Sequence, residues 1–209
     1  MKRSYEMNTW YGVVLGILLI APATGGCRQT AQPAFNSKIM FDAKTVGELL
    51  HTPFTEEELA AFGKPPAPID GYLTYFDPGL SVMQLRRDVL GDKKRHGYTD
   101  EEYAWEEGMP GYRQLHVSAM AQQLGVGWND VVVPEGDEVP GIRTVATAQT
   151  ICYLAKNPLL PSGMFRCAEA GDGWHAIISG TTKDDFGIGG NPDDSTSSII
   201  GTAFIKKSH

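Results

Sequence analysis

The only long apolar stretch in this 209-residue chain stands near its start, and its length decides how everything after it must be read. Lys2 and Arg3 lead into Val13-Val14-Leu15-Gly16-Ile17-Leu18-Leu19-Ile20, and small residues run from Ala21 to Gly26 before Cys27. A helix that crosses a bilayer needs roughly 20 apolar residues. This run reaches about half of that, with a basic lead and a small-residue exit, which is the pattern of an export signal with a processing point. The one membrane-like segment is therefore removed from the folding problem.

Thr24-Gly25-Gly26-Cys27 resembles the lipobox of bacterial lipoproteins, with Thr24 standing where that family prefers leucine. The resemblance covers the first 27 residues and implies that Cys27 becomes the acylated N-terminus. Several acyl chains would then hold the protein on the periplasmic side of an envelope membrane, where one chain alone binds only marginally. The alternative is ordinary cleavage near Ala23 or Gly26 and a soluble periplasmic or secreted product. Residues 28–36 are small and polar and form a tether, because they have no period that could bury a face. Residues 37–209 are expected to make one domain, long enough for a sizeable core.

Of the three cysteines, setting Cys27 aside leaves Cys152 and Cys167. An even number in an oxidising compartment predicts a disulfide between them. The bridge would close the turn-rich stretch from Tyr153 to Arg166 and stabilise by about 3 kcal/mol in the chain-entropy account. The other readings are two small buried apolar residues, or a cysteine nucleophile paired with His175.

Charge narrows the partners. Taking Lys2, Arg3 and Glu6 from the 18 basic and 25 acidic side chains leaves 16 and 24, a formal charge of −8. That field disfavours nucleic acid and suits a basic envelope or exported protein. Lys93, Lys94, Arg95 and His96 form the only concentrated basic patch, which reads as a solvated loop before it reads as an anion or partner contact.

Helical signals dominate the first part. Val46, Leu49 and Leu50 form a short apolar cluster, Thr55 and Glu58 make a capping box closed by Gly63, and Ser81 caps Val82 to Leu90. Ile69 to Phe76 alternates like a strand, Thr99 opens a helix, and Tyr112 to Leu124 reads as a helix capped by Gly125. After Gly125 the chain turns strand-like at Trp128 to Val133, Ile142 to Tyr153, Met164 to Ala170, Trp174 to Ser179 and Ser198 to Ile205. The expected fold class is α+β, with N-terminal helices followed by a mainly antiparallel sheet braced by the disulfide.

Chemistry is sparsely marked. His116 beside the Leu115, Ala119 and Met120 stripe reads as a hydrogen-bonded, partly buried histidine before a metal ligand. His175 lacks a visible nucleophile or ligand set. Asp184-Asp185 and Asp193-Asp194 flank glycine-rich sequence without matching a calcium loop, so no metal and no cofactor is expected. Loops of this kind can face a partner. The leading reading is an envelope lipoprotein acting as an interaction, inhibitor or immunity-like factor for a basic protein, and not as an enzyme. Two alternatives stand beside it: a small-ligand-binding or structural lipoprotein, and an envelope hydrolase using His175 or His116.

Overall fold

Capping chemistry sets the first elements of the computed structural model, which describes residues 39–91, 101–157, 160, 163–179 and 187–207. Strand β1 (Met40–Phe41) leads into helix α1 (Ala43–Leu49), where the Asp42 carboxylate accepts the Thr45 N–H at 2.8 Å. Helix α2 (Glu56–Ala61) carries the full capping box between Thr55 and Glu58. Phe54 and Phe62, at its two ends, pack on each other and on Phe76 with centroids 4.5–5.5 Å apart. Strand β2 (Tyr72–Asp77) is buried along its whole length. Ser81 and Gln84 cap α3 (Val82–Gln84), which runs on as a π-helical turn, Leu85–Val89. A single 3₁₀ turn, Glu102–Ala104, stands where Thr99 announced a longer helix.

The stretch expected to be one helix over 112–124 divides into strand β3 (Gly111–His116) and a short helix α4 (Val117–Gln122). Six consecutive pairings with β2, from Asp77↔Gly111 to Tyr72↔His116, give residues 111–116 a hydrogen-bonding partner that local periodicity does not register. Only the second half keeps the helical face, and Gly125 follows it with φ +81°.

Beyond Gly125 the expected succession of strands is also corrected. Trp128–Asp130 is a 3₁₀ turn, strand β4 is Asp137–Glu138, and Ile142–Leu154 is helix α5. Its β-branched residues suggest a strand, yet ten of its residues are buried, and a helix apolar all round is a core helix. The buried hydroxyls of Thr147 and Thr150 donate back to the carbonyls of Arg143 and Ala146, so the threonines are satisfied inside the helix. Both Glu169 carboxylate oxygens accept the Ile142 N–H at 2.8 and 2.9 Å and cap the N-terminus. Helix α5 packs on strands of both sheets, which makes it the centre of the core.

Strands β5 (Met164–Gly171) and β6 (Trp174–Ser179) form the expected hairpin, joined by β7 (Gly187–Pro192) and β8 (Ile200–Thr202), while β9 (Ile205–Lys206) crosses to the other sheet. One sheet has the order β1-β2-β3-β9-β4 and the other β7-β6-β5-β8. Each contains a parallel pair, β1 with β2 and β5 with β8. The fold is α+β, but with two mixed sheets and helices distributed among the strands rather than gathered before them.

The disulfide is overturned as well. Cys152 on α5 and Cys167 on β5 are free thiols, 5% and 0% exposed. Burial pushes the Cys152 thiol up to about 12 and the Cys167 thiol well above its ordinary value, with Glu169 adding to the latter. The Cys167 thiol donates weakly to the Phe165 carbonyl. Both cysteines serve as small core residues, and the fold is held by α5 between the sheets rather than by a crosslink. Among the described residues no helix is long and apolar enough to cross a membrane. The signal, Cys27, the tether and the basic patch of 93–96 lie outside the described residues.

Candidate functional site

Two histidines are held in the same way, each with Nδ1 on an aspartate and one ring face on an aromatic side chain. The first is His116, at the end of β3. Its cross-strand neighbour is Tyr72, and the two rings stack with centroids 4.0 Å apart and planes at 22°. Asp137 reaches them from β4, which joins the sheet through β9. The Tyr72 hydroxyl donates to Asp137 Oδ1 at 2.8 Å, and His116 Nδ1 lies 2.5 Å from Asp137 Oδ2. The carboxylate is fully buried, whereas the imidazole is 19% exposed. Burial, reinforced by Asp137, pushes the Tyr72 phenol above its ordinary range and keeps it a donor. Because an ionised carboxylate can only accept, the ring proton sits on Nδ1 and the lone pair of the neutral imidazole is on Nε2.

What surrounds Nε2 is set by Gly71. This residue has φ +83°, and a Cβ placed on it would lie 2.9 Å from Ser118 Oγ and 3.7 Å from His116 Nε2. Glycine here meets a left-handed backbone and leaves a gap bordered by the serine hydroxyl and the imidazole nitrogen. The Ser118 N–H donates to the Gly71 carbonyl at 3.2 Å, which fixes the start of α4 against the turn before β2. His116, Ser118, Asp137, Tyr72 and Gly71 thus converge at one corner of the first sheet.

The second histidine, His175 on β6, is 7% exposed. Its ring stacks on Trp128 at 3.5 Å and 26°, and its Nδ1 lies 2.7 Å from Asp193 Oδ1. The backbone completes the contact: Trp128 N–H donates to the Asp193 carbonyl at 2.8 Å, and Asp193 N–H to the Gly173 carbonyl at 3.1 Å. Fully buried Arg166 donates to the carbonyls of Val126 and Ser195 at 2.9 and 2.5 Å. Burial pulls its guanidinium below its usual value, with Asp193 opposing the shift. These bonds pin the turn after β7 to residues 126–128, so the constellation is a clamp closed on itself.

Comparison with protein-family models, curated proteins and solved structures finds no match. The argument for a site therefore stands on this chain's own geometry.

The acidic residues singled out in the sequence do not act as one surface. Asp193 is engaged by His175, Asp194 is exposed, and Asp184 and Asp185 lie outside the described residues. Among the described residues no group of three or more His, Cys, Asp or Glu side chains could hold a metal ion. Sequence reasoning singled out both histidines but missed Tyr72, Gly71, Ser118 and Asp137, which stand 44, 45, 2 and 21 positions from His116. It also missed Asp77, a fully buried carboxylate held by Arg143 at 2.8 Å, approached by Arg113 at 3.9 Å and accepting the Gly79 N–H at 2.9 Å. That cluster ties α5 and β3 to the end of β2 and is structural.

Proposed function

We propose that this chain is an envelope lipoprotein, anchored through Cys27, whose folded domain binds a small hydroxylated ligand at the His116 corner. The observation that carries this reading is the orientation of His116. Asp137 and Tyr72 fix the imidazole so that the Nε2 lone pair meets the gap over Gly71 beside the Ser118 hydroxyl. A neutral Nε2 accepts a hydrogen bond and a serine hydroxyl both gives and accepts one, so the pair suits an alcohol group. His175 offers less: its ring is more deeply buried and its neighbours serve to fasten a turn. The inhibitor-like reading loses part of its charged surface, because Asp193 is turned onto His175.

The test is side-chain ¹⁵N NMR of the full chain in detergent, titrated with neutral sugars and polyols and with their O-acetyl esters. Saturable movement of the His116 Nε2 resonance, absent from His175 and abolished by Ser118→Val, is the expected result. A panel that leaves His116 unmoved, or that moves only residues distant from Gly71, removes the proposal.

A further inference from the structure

The His116 corner contains the parts of an acyl-transfer site, and one of them has no structural assignment. Asp137 and Tyr72 account for each other and for the imidazole Nδ1. The Ser118 hydroxyl is different: it is half-buried, it borders the gap over Gly71, and no hydrogen bond holds it among the described residues. We propose that Ser118 is a nucleophile that accepts an acyl group from a carboxylic ester, with His116 as its general base and Asp137 as a positioning residue. The inference rests on reading this corner as a site for a hydroxylated ligand, and it names that ligand's class as an O-acyl ester.

The chemistry balances with water as the only co-reactant. Ser118 Oγ forms a bond to the ester carbonyl carbon and passes its proton to His116 Nε2. Collapse of the tetrahedral intermediate breaks the C–O bond to the alcohol, which leaves with the proton from Nε2. Water then attacks the acyl-serine, gives a proton to the same nitrogen, and Ser118 recovers it as the carboxylic acid departs. Asp137 accepts from Nδ1–H throughout and favours the imidazolium formed at each attack. Oγ and Nε2 border the same point without being hydrogen-bonded to each other, and rotation about the serine Cα–Cβ bond carries the hydroxyl over the gap. Catalytic hydrogen bonds of this sort commonly shorten only in the substrate complex.

Two features restrict the substrate. The Ser118 N–H is already donated to the Gly71 carbonyl, so the nucleophile's own amide does not stabilise the oxyanion. One such donor is worth about 10²–10³ in rate, and its loss places amides out of reach while leaving the more reactive esters. The gap is that of a missing side chain at Gly71, which suits a short acyl group such as acetyl.

The experiment is treatment of the full chain in detergent with an alkyl fluorophosphonate, read by intact mass and peptide mapping, alongside hydrolysis of p-nitrophenyl acetate. The expected outcome is one adduct on Ser118, absent in Ser118→Ala, formed at least about tenfold more slowly in His116→Gln, and with a labelling rate that rises with pH through a single imidazole titration. Far-UV circular dichroism of Ser118→Ala confirms that the fold persists. A folded protein that gives no adduct, or an adduct elsewhere, overturns the nucleophile. If His116 Nε2 still responds saturably to polyols in that case, ligand binding stands and acyl transfer alone falls; if it does not, both fall.

Discussion

Removing a single oxygen atom, in Tyr72→Phe, tests whether the His116 corner is held as described. The phenylalanine ring keeps the shape of tyrosine and can still stack on His116, so packing is unchanged while Asp137 Oδ1 loses its 2.8 Å donor. That oxygen belongs to a carboxylate with no exposed surface, so water cannot replace the phenol. A hydrogen bond to a buried charged group contributes about 1.5–3 kcal/mol, most of it the penalty for leaving the charge unsatisfied. For a domain of this size each kcal/mol moves the Tm by about 2–4 °C, so the expected fall is about 3–12 °C. Urea unfolding followed by circular dichroism gives the free energy directly. A double-mutant cycle with Asp137→Asn isolates the pair, and a coupling above about 1 kcal/mol is expected for groups in direct contact. A loss below about 0.5 kcal/mol, the range of an ordinary surface substitution, would refute the buried Tyr72–Asp137–His116 network and with it the orientation of Nε2.

Three further outcomes follow from the rest of the core. In the folded protein Cys152 and Cys167 should resist alkylation at mildly alkaline pH, react fully once denatured, and leave the Tm insensitive to reductant; a bridged pair in non-reducing peptide maps refutes this. Burial raises the Glu169 carboxyl above its ordinary 4.5 in the folded state, so its contribution to stability is present below that pH and lost as pH rises through the folded value; Glu169→Gln should remove this slope, and an unchanged stability profile between the two proteins refutes it. Asp193→Ala should cost about 1–2 kcal/mol by releasing His175 and its turn, while exposed Asp194→Ala should stay within about 0.5 kcal/mol; equal effects in urea unfolding contradict the clamp.

What could be read along the chain was whatever is decided within a few residues. The capping boxes at Thr55–Glu58 and Ser81–Gln84, the terminating Gly125 and the β5–β6 hairpin around Gly171 to Gly173 all depend on neighbours three or four positions away, and all are found where their residues place them. The bulge between Arg166 and Ala170 carried no such signal, although it is where Glu169 turns to cap α5.

Tertiary structure decided the rest, because the competing terms come from distant residues. Residues 111–116 carry part of a helical stripe, but pairing with β2 satisfies their backbone as strand. Residues 142–154 are rich in β-branched side chains, yet burial on every side and back-bonded threonines make them the core helix. Cys152 and Cys167 are even in number and close in sequence, but a helix and a strand carry them into the core as separate thiols. The candidate site follows the same rule. Single residues such as His116 and His175 stand out by type, whereas Asp137, Tyr72, Gly71 and Ser118 acquire meaning only when β2, β4 and α4 meet. Local sequence fixes backbone preference to within about a kcal/mol per residue, and long-range hydrogen bonding and burial, which are larger, choose among the structures those preferences allow.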